Sequence, residues 1–235
     1  MATYMLIHGG FAGGWIWDAV APLLEAAGHT VYAPTLTGLG ERTELPCAHI
    51  TLDTHAQDVI DLINCERLSN IILVGHSYSG MVITAVAERT PERIGHLIYL
   101  DAFVPEDGHS LVDYLPAAVA EELTRLAAER GGWAPMPFSP ESLGLTNEAD
   151  IQRFLSRVVD HPIQTALDRV EVRNPAAAEI PRTFIYCTSP ALGFFDEAAA
   201  RARQCGWRYR ELATGHLPQI TAPAETARLL LEAAT

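Results

Sequence analysis

The chain has 235 residues, a formal net charge of −13 and no lysine, every basic side chain being arginine or histidine. That length fits one α/β domain with a sizeable core, since 49% of the residues are hydrophobic. The diffuse negative charge disfavours nucleic acid and anionic membranes as partners, and no run of about eighteen uninterrupted apolar residues offers a membrane span.

The chain opens on a strand-like segment, Thr3 to Ile7, with no basic stretch and apolar core ahead of it. The expectation is no signal peptide and a cytoplasmic protein. Strands are expected near 3–8, 29–33, 70–75, 94–101, 182–188 and 206–212, and helices near 15–27, 53–66, 78–90, 196–205 and 222–234. Their alternation predicts an α/β fold with a mostly parallel six-stranded sheet covered on both faces. Gly28 stands where a helix would end, and Thr51 or Asp53 where the second would be capped. On that second helix Ala56, Val59, Ile60 and Ile63 share one face, with Asp58 and Asp61 off it. Cys47, Cys65, Cys187 and Cys205 form no C-x-x-C pair; Cys65 and Cys187 lie in apolar segments and read as buried free thiols.

From 105 to 181 the alternation stops. Helical pieces are expected near 111–130, 148–159 and 162–171, with no strand among them. Residues 1–104 and 182–235 then form the core, and 105–181 a helical lid over the carboxyl edge of the sheet. Apolar positions such as Leu111, Leu115, Leu123 and Phe154 argue against disorder there.

The most informative segment is Gly75-His76-Ser77-Tyr78-Ser79-Gly80. It lies between the apolar run Ile71-Ile72-Leu73-Val74 and a helix, as a nucleophile elbow does. Such a turn lifts the Ser77 hydroxyl clear of the sheet and aims a helix N-terminus at developing charge. The pattern departs from G-x-S-x-G at its fifth position, which is Ser79, with glycine one residue later. Of nine histidines, His216 alone follows the last strand in a loop, and it is the expected general base. His76 adjoins the nucleophile; its side chain is expected on the opposite side of the turn, in a structural role.

The loop His8-Gly9-Gly10-Phe11-Ala12-Gly13-Gly14 suits an oxyanion hole, with the Gly10 N–H as one donor, Phe11 as its near alternative, and the Tyr78 N–H as the other. Its glycines miss the G-x-G-x-x-G spacing of a dinucleotide turn. For the acid, the loop after the penultimate strand, Cys187 to Gly193, holds no carboxylate before Asp196. Asp101, at the end of the strand after the nucleophile, is the better-placed candidate, and a bracing role is its competing reading. Asp196 and a Ser–His pair without a carboxylate stay open. Trp15, Phe11, Tyr78, Phe103, Trp133, Met136 and Phe138 are candidate pocket residues, of which Phe11 and Tyr78 are singled out for substrate contact.

Taken together, these features resemble the α/β-hydrolase superfamily over the whole chain. The segments Gly13-Gly14-Trp15, Thr35 to Arg42 and Asp101 to Gly108 are similar to a bacterial branch of the small lidded esterases related to plant methyl esterases and hydroxynitrile lyases. The resemblance implies a serine hydrolase cleaving a methyl or aryl ester, or a methyl carbamate, through an acyl-enzyme on Ser77, without metal or cofactor and with a small-molecule ester as its partner. Around Ser189-Pro190 the chain lacks the family's usual post-strand aspartate. Hydroxynitrile lyases of this type use a lysine, which this chain does not have. A non-hydrolytic enzyme on the same scaffold and a silent ligand-binding protein are the alternatives.

Overall fold

A computed structural model describes residues 1–43 and 47–233. Its strands are β1 (Thr3–Ile7), β2 (Thr30–Tyr32), β3 (Ile71–His76), β4 (Ile94–Leu100), β5 (Trp133–Ala134), β6 (His161–Pro162), β7 (Arg182–Cys187) and β8 (Arg208–Leu212). Six of them form one sheet in the order β2-β1-β3-β4-β7-β8, and every neighbouring pair is parallel. Alternation along the strands sends side chains to two cores. Met5, Ile7, Leu73, Leu97 and Tyr99 face one; Tyr4, Leu6, Val74, Ile98 and Leu100 face the other.

The helices are α1 (Ala21–Ala26), α2 (Leu52–Cys65), α3 (Ser79–Arg89), α4 (Ala117–Glu129), α5 (Glu148–Leu155), α6 (Gln164–Leu167), α7 (Pro175–Ala178), α8 (Asp196–Gln204), α9 (Pro218–Thr221) and α10 (Pro223–Ala233). Two helices expected as continuous, 15–27 and 111–130, are divided, each at a proline. Pro22 stands in the first turn of α1, after a short 3-10 turn at Gly14–Trp17. Pro116 caps α4, after another 3-10 turn at Leu111–Tyr114. The helix expected near 222–234 is α10, begun by Pro223, and the short α9 before it, begun by Pro218, was not expected. Proline lacks the N–H a helix interior needs but fits a first turn, so each restarts the helix. Position 234, the end of the last expected helix, lies outside the described residues.

Thr51 caps α2, its hydroxyl accepting the Thr54 N–H at 3.1 Å while the Thr54 hydroxyl accepts the Thr51 N–H at 3.1 Å, an arrangement worth about 1 kcal/mol. Gly28 follows α1 with φ +87°, the left-handed conformation a helix terminus favours in glycine. Cys65 differs from expectation: it closes α2 on the exposed side, while Cys47 and Cys187 are the buried thiols. Among the described residues, no helix is long and apolar enough to cross a membrane.

The stretch 105–181 holds α4 to α7 and, contrary to the strandless expectation, the two-residue antiparallel pair β5–β6. The helix expected over 162–171 is cut to α6. It stops at Asp168, which turns extended; its carboxylate accepts the Leu52 N–H at the start of α2 (2.9 Å). Register places the chemistry: Gly75 of β3 lies beside Ile7 and Tyr99, and His76 beside Leu100. The residues that follow, His8–Phe11, Ser77 and Asp101, therefore emerge together at the carboxyl edge.

Candidate active site

Ser77 leaves β3 with φ +55°, a left-handed conformation that costs a non-glycine residue of order 1 kcal/mol. The strain is held by backbone bonds, Ser77 N–H to Leu100 O (3.3 Å) and Phe103 N–H to Ser77 O (3.1 Å). The turn has no room for side chains at its flanks. A Cβ on Gly75 would meet Ser79 O at 2.6 Å, and one on Gly80 would meet Phe103 O at 1.8 Å. Ser79, the departure from the usual pattern, is fully buried and donates its hydroxyl to His8 O. It ties the elbow to the loop after β1, which a glycine would not do.

His216 brings its Nε2 to 2.9 Å from Ser77 Oγ, and its Nδ1 lies 2.7 Å from Asp101 Oδ2. Asp101 Oδ1 accepts the Cys187 N–H at 3.0 Å, so the carboxylate is fixed at both oxygens. With Nδ1–H donated to the carboxylate, Nε2 presents its lone pair to the serine. Asp101 is 1% exposed and has φ +43°. The other acid candidate, Asp196, is exposed at the start of α8 and accepts the Tyr186 hydroxyl, away from His216.

Two rings brace His216. Phe195 stacks on it (centroids 5.2 Å apart, planes 12° apart), and His76 lies on it at 4.7 Å. His76 therefore does not point away from the site: its Nε2–H donates to His216 O at 2.7 Å. It bonds the loop that carries His216 rather than lying on the opposite side of the turn. Burial, then the neighbouring His216, keep His76 neutral by lowering its pKa well below the usual value.

Of the two glycines next to Ser77 in the loop after β1, the steric demand falls on Gly9, where a Cβ would meet His76 Nδ1 at 2.8 Å and Ser77 Cβ at 3.1 Å. Gly10 has ordinary room, its nearest such contact being 3.4 Å. The Phe11 N–H goes to His161 Nδ1 (3.4 Å). Among the described residues the Gly10 and Tyr78 N–H groups have no acceptor in the protein, which leaves them as the free donors beside Ser77.

Beneath this loop lie neutral histidines. His8 donates Nδ1–H to Gly9 O (2.8 Å) and accepts the Leu36 N–H at Nε2 (3.0 Å). His55 donates to Thr37 O (2.8 Å) and accepts the Tyr78 hydroxyl (2.7 Å). Burial pushes both down to about 4. It also pushes the Tyr78 phenol up, so Tyr78 stays protonated with its hydroxyl committed to His55.

An apolar cavity of ≈100 Å³ opens over Ser77, walled by Gly10, Phe11, Tyr78 and Phe103 from the core and by residues such as Leu115, Leu123, Met136, Phe138 and Phe154 from 105–181. Among the described residues, no polar side chain other than those of His76, Ser77, Tyr78 and His216 lines it. Two aromatic candidates lie elsewhere. Trp15 packs against Phe154 and under the Arg157 guanidinium, and Trp133 sits in β5 away from the cavity wall. Sequence reasoning passed over Phe195 and His161; both lie far from Ser77 in the chain, with no local motif to mark them. Among the described residues, no cluster of three or more His, Cys, Asp or Glu side chains is arranged to hold a metal ion.

The family model described as "Alpha/beta hydrolase family" matches residues 5–229. The chain belongs to the alpha/beta hydrolase family. It is 50% identical over 124 residues to a carbendazim hydrolyzing esterase of Nocardioides sp. (strain SG-4G), a match covering 53% of this chain and 51% of that protein, so about half of the relative's length is spanned. Methylesterase 1 of Arabidopsis thaliana is 26% identical, with 98% of this chain and 95% of that protein covered. A solved extracellular alpha/beta-hydrolase from a Paenibacillus species, described as sharing structural and functional homology with tobacco salicylic acid binding protein 2, superposes with a TM-score of 0.88. It is 28% identical, with 99% of each chain covered.

Proposed function

We propose that the protein is a serine hydrolase of small carboxylic esters, methyl or aryl esters or methyl carbamates, working through an acyl-enzyme on Ser77. The observation that carries this reading is the chain of contacts Ser77 Oγ–His216 Nε2 (2.9 Å) and His216 Nδ1–Asp101 Oδ2 (2.7 Å) at the floor of the apolar cavity. Esterase relatives support it.

In this reaction His216 Nε2 takes the Ser77 proton as Oγ bonds to the ester carbonyl carbon. The carbonyl oxygen gains the electron pair and is held by the Gly10 and Tyr78 N–H groups. Asp101 steadies the imidazolium. Collapse re-forms the carbonyl and breaks the bond to the leaving oxygen, which takes the proton from His216. Water then gives its proton to His216 and its oxygen to the acyl carbon, and the acid leaves as Ser77 regains its proton. Residues 105–181 act as the lid, closing the apolar walls and excluding bulk water. Phe11 and Tyr78 contact the substrate, whose parts are uncharged, because no lining side chain among the described residues pairs with a charge. Four unpaired cysteines, two of them exposed, support a reducing, cytoplasmic setting.

The test is turnover of a panel of methyl, aryl and carbamate esters by wild type, Ser77→Ala and His216→Ala. Hydrolysis by wild type and loss of about 10⁴-fold or more in both variants is expected. Equal rates in all three would sink the proposal.

A further inference from the structure

The segment over the site carries a buried histidine that the proposed chemistry does not use. His161, in β6, is 5% exposed and does not line the cavity. Its hydrogen bonds fix which nitrogen carries the proton. The Thr165 hydroxyl donates to Pro162 O at 2.8 Å, so it accepts from His161 Nε2–H at 2.7 Å. Nδ1 is then the lone-pair nitrogen, and it receives the Phe11 N–H at 3.4 Å. Burial, then the nearby His55 and His8, hold the imidazole neutral by lowering its pKa far below the usual value. A protonated ring would turn an N–H against the Phe11 N–H.

The surroundings of Nδ1 are the two residues that supply the free donors. A Cβ on Gly10 would lie 3.4 Å from it, and the Tyr78 ring meets the imidazole edge-on with centroids 4.8 Å apart. Phe11 itself has φ +64°, a conformation a phenylalanine does not hold without support. Support comes from one place: the Val159 N–H donates to Phe11 O at 2.9 Å, and His161 takes the Phe11 N–H. Both polar backbone groups of Phe11 are thus held by residues 159–161 of the segment that covers the site.

We propose that His161 is a positioning residue for the oxyanion hole, accepting the Phe11 N–H so that the Gly10–Phe11 peptide is fixed and the Gly10 N–H faces the substrate oxygen. The role rests on the serine-hydrolase reading above. It makes the hole complete only when the covering segment is docked, since the ligand of the Phe11 amide arrives from that segment.

The test compares His161→Leu, His161→Asn and His161→Gln on an aryl ester, with thermal unfolding of each. Asn places a carbonyl oxygen where Nδ1 stands; Gln keeps size and polarity but carries its oxygen one bond too far. The expected result is a fall in kcat of about 10- to 100-fold for Leu and Gln with KM within about threefold, and recovery to within a few-fold of wild type for Asn. If Leu does not fold, the Asn and Gln pair decides alone. Unchanged kcat in Gln, or equal losses in Asn and Gln, would overturn the positioning role while leaving wild-type esterase activity intact. A wild-type protein that cleaves no ester would overturn the hydrolase reading, and the positioning role with it.

Discussion

Replacing Asp101 by asparagine changes one proton and almost no volume, and the structure says where the change lands. Oδ1 accepts the Cys187 N–H at 3.0 Å, so in Asp101→Asn the new amide keeps its oxygen there and turns its NH₂ toward His216. At 2.7 Å from Nδ1, that NH₂ requires a lone pair, which forces the imidazole proton onto Nε2. Nε2 faces Ser77 Oγ at 2.9 Å and, once protonated, cannot take the serine proton. The imidazolium also loses the anion beside it. A wrong tautomer of this kind costs about 10⁴-fold in kcat, or about 5.5 kcal/mol of barrier. Stability should change by no more than about 1 kcal/mol, because both hydrogen bonds keep a partner and a buried charge is removed. Initial rates on p-nitrophenyl acetate, with thermal unfolding alongside, read both quantities. A fall below tenfold in a variant that melts like wild type would refute the role given to Asp101. Asp196→Asn is the companion control, expected within about twofold of wild type because its carboxylate meets Tyr186 and not His216.

The loop after β1 makes an unequal pair. Gly9→Ala pushes a methyl onto His76 Nδ1 and Ser77 Cβ and should lower kcat about 100-fold; Gly10→Ala has ordinary room and keeps its N–H, so it should stay within about tenfold, and the reverse order in steady-state rates would contradict the assignment of the hole. Stability should also depend on pH through the buried histidines. Folded His8 and His55 have pKa values lowered by burial to about 4, against 6.5 when unperturbed, so the unfolded chain binds more protons between those values. Their contribution is complete above the unperturbed value and is lost as the pH falls toward the folded one, amounting to about 2 kcal/mol per histidine near pH 5. Urea unfolding at neutral pH and near pH 5 measures it; equal unfolding free energies would show that these rings are not held neutral.

Much of the fold was legible because buried parallel strands read as apolar runs. Ile71 to Val74 and Leu97 to Leu100 are such runs, and the small residues around Ser77 mark a turn with no space for side chains. The contact of Asp101 with His216 was legible by position, from a carboxylate at the end of the strand next to the one that leads to Ser77. The divided helices were open to the same reading, since Pro22 and Pro116 each announce a first turn; hydrophobic spacing alone carried the helix across them. The orientation of His76 was not legible. It depends on the His216 carbonyl, 140 residues away in the chain. His161 lay further out of reach, joined to Phe11 across 150 residues by a contact that leaves no local pattern. Cys65 shows the opposite limit: an apolar neighbourhood does not fix which side of a helix terminus is covered.

The central claim is that Ser77 is a nucleophile made reactive by His216. Intact-mass analysis after exposure to a small fluorophosphonate, run beside Ser77→Ala and His216→Ala, tests it most directly. The account predicts a single phosphonyl adduct on wild type, mapped to Ser77, absent from Ser77→Ala and slowed by orders of magnitude in His216→Ala. No adduct on folded wild-type protein, or an adduct that persists in Ser77→Ala, would contradict it.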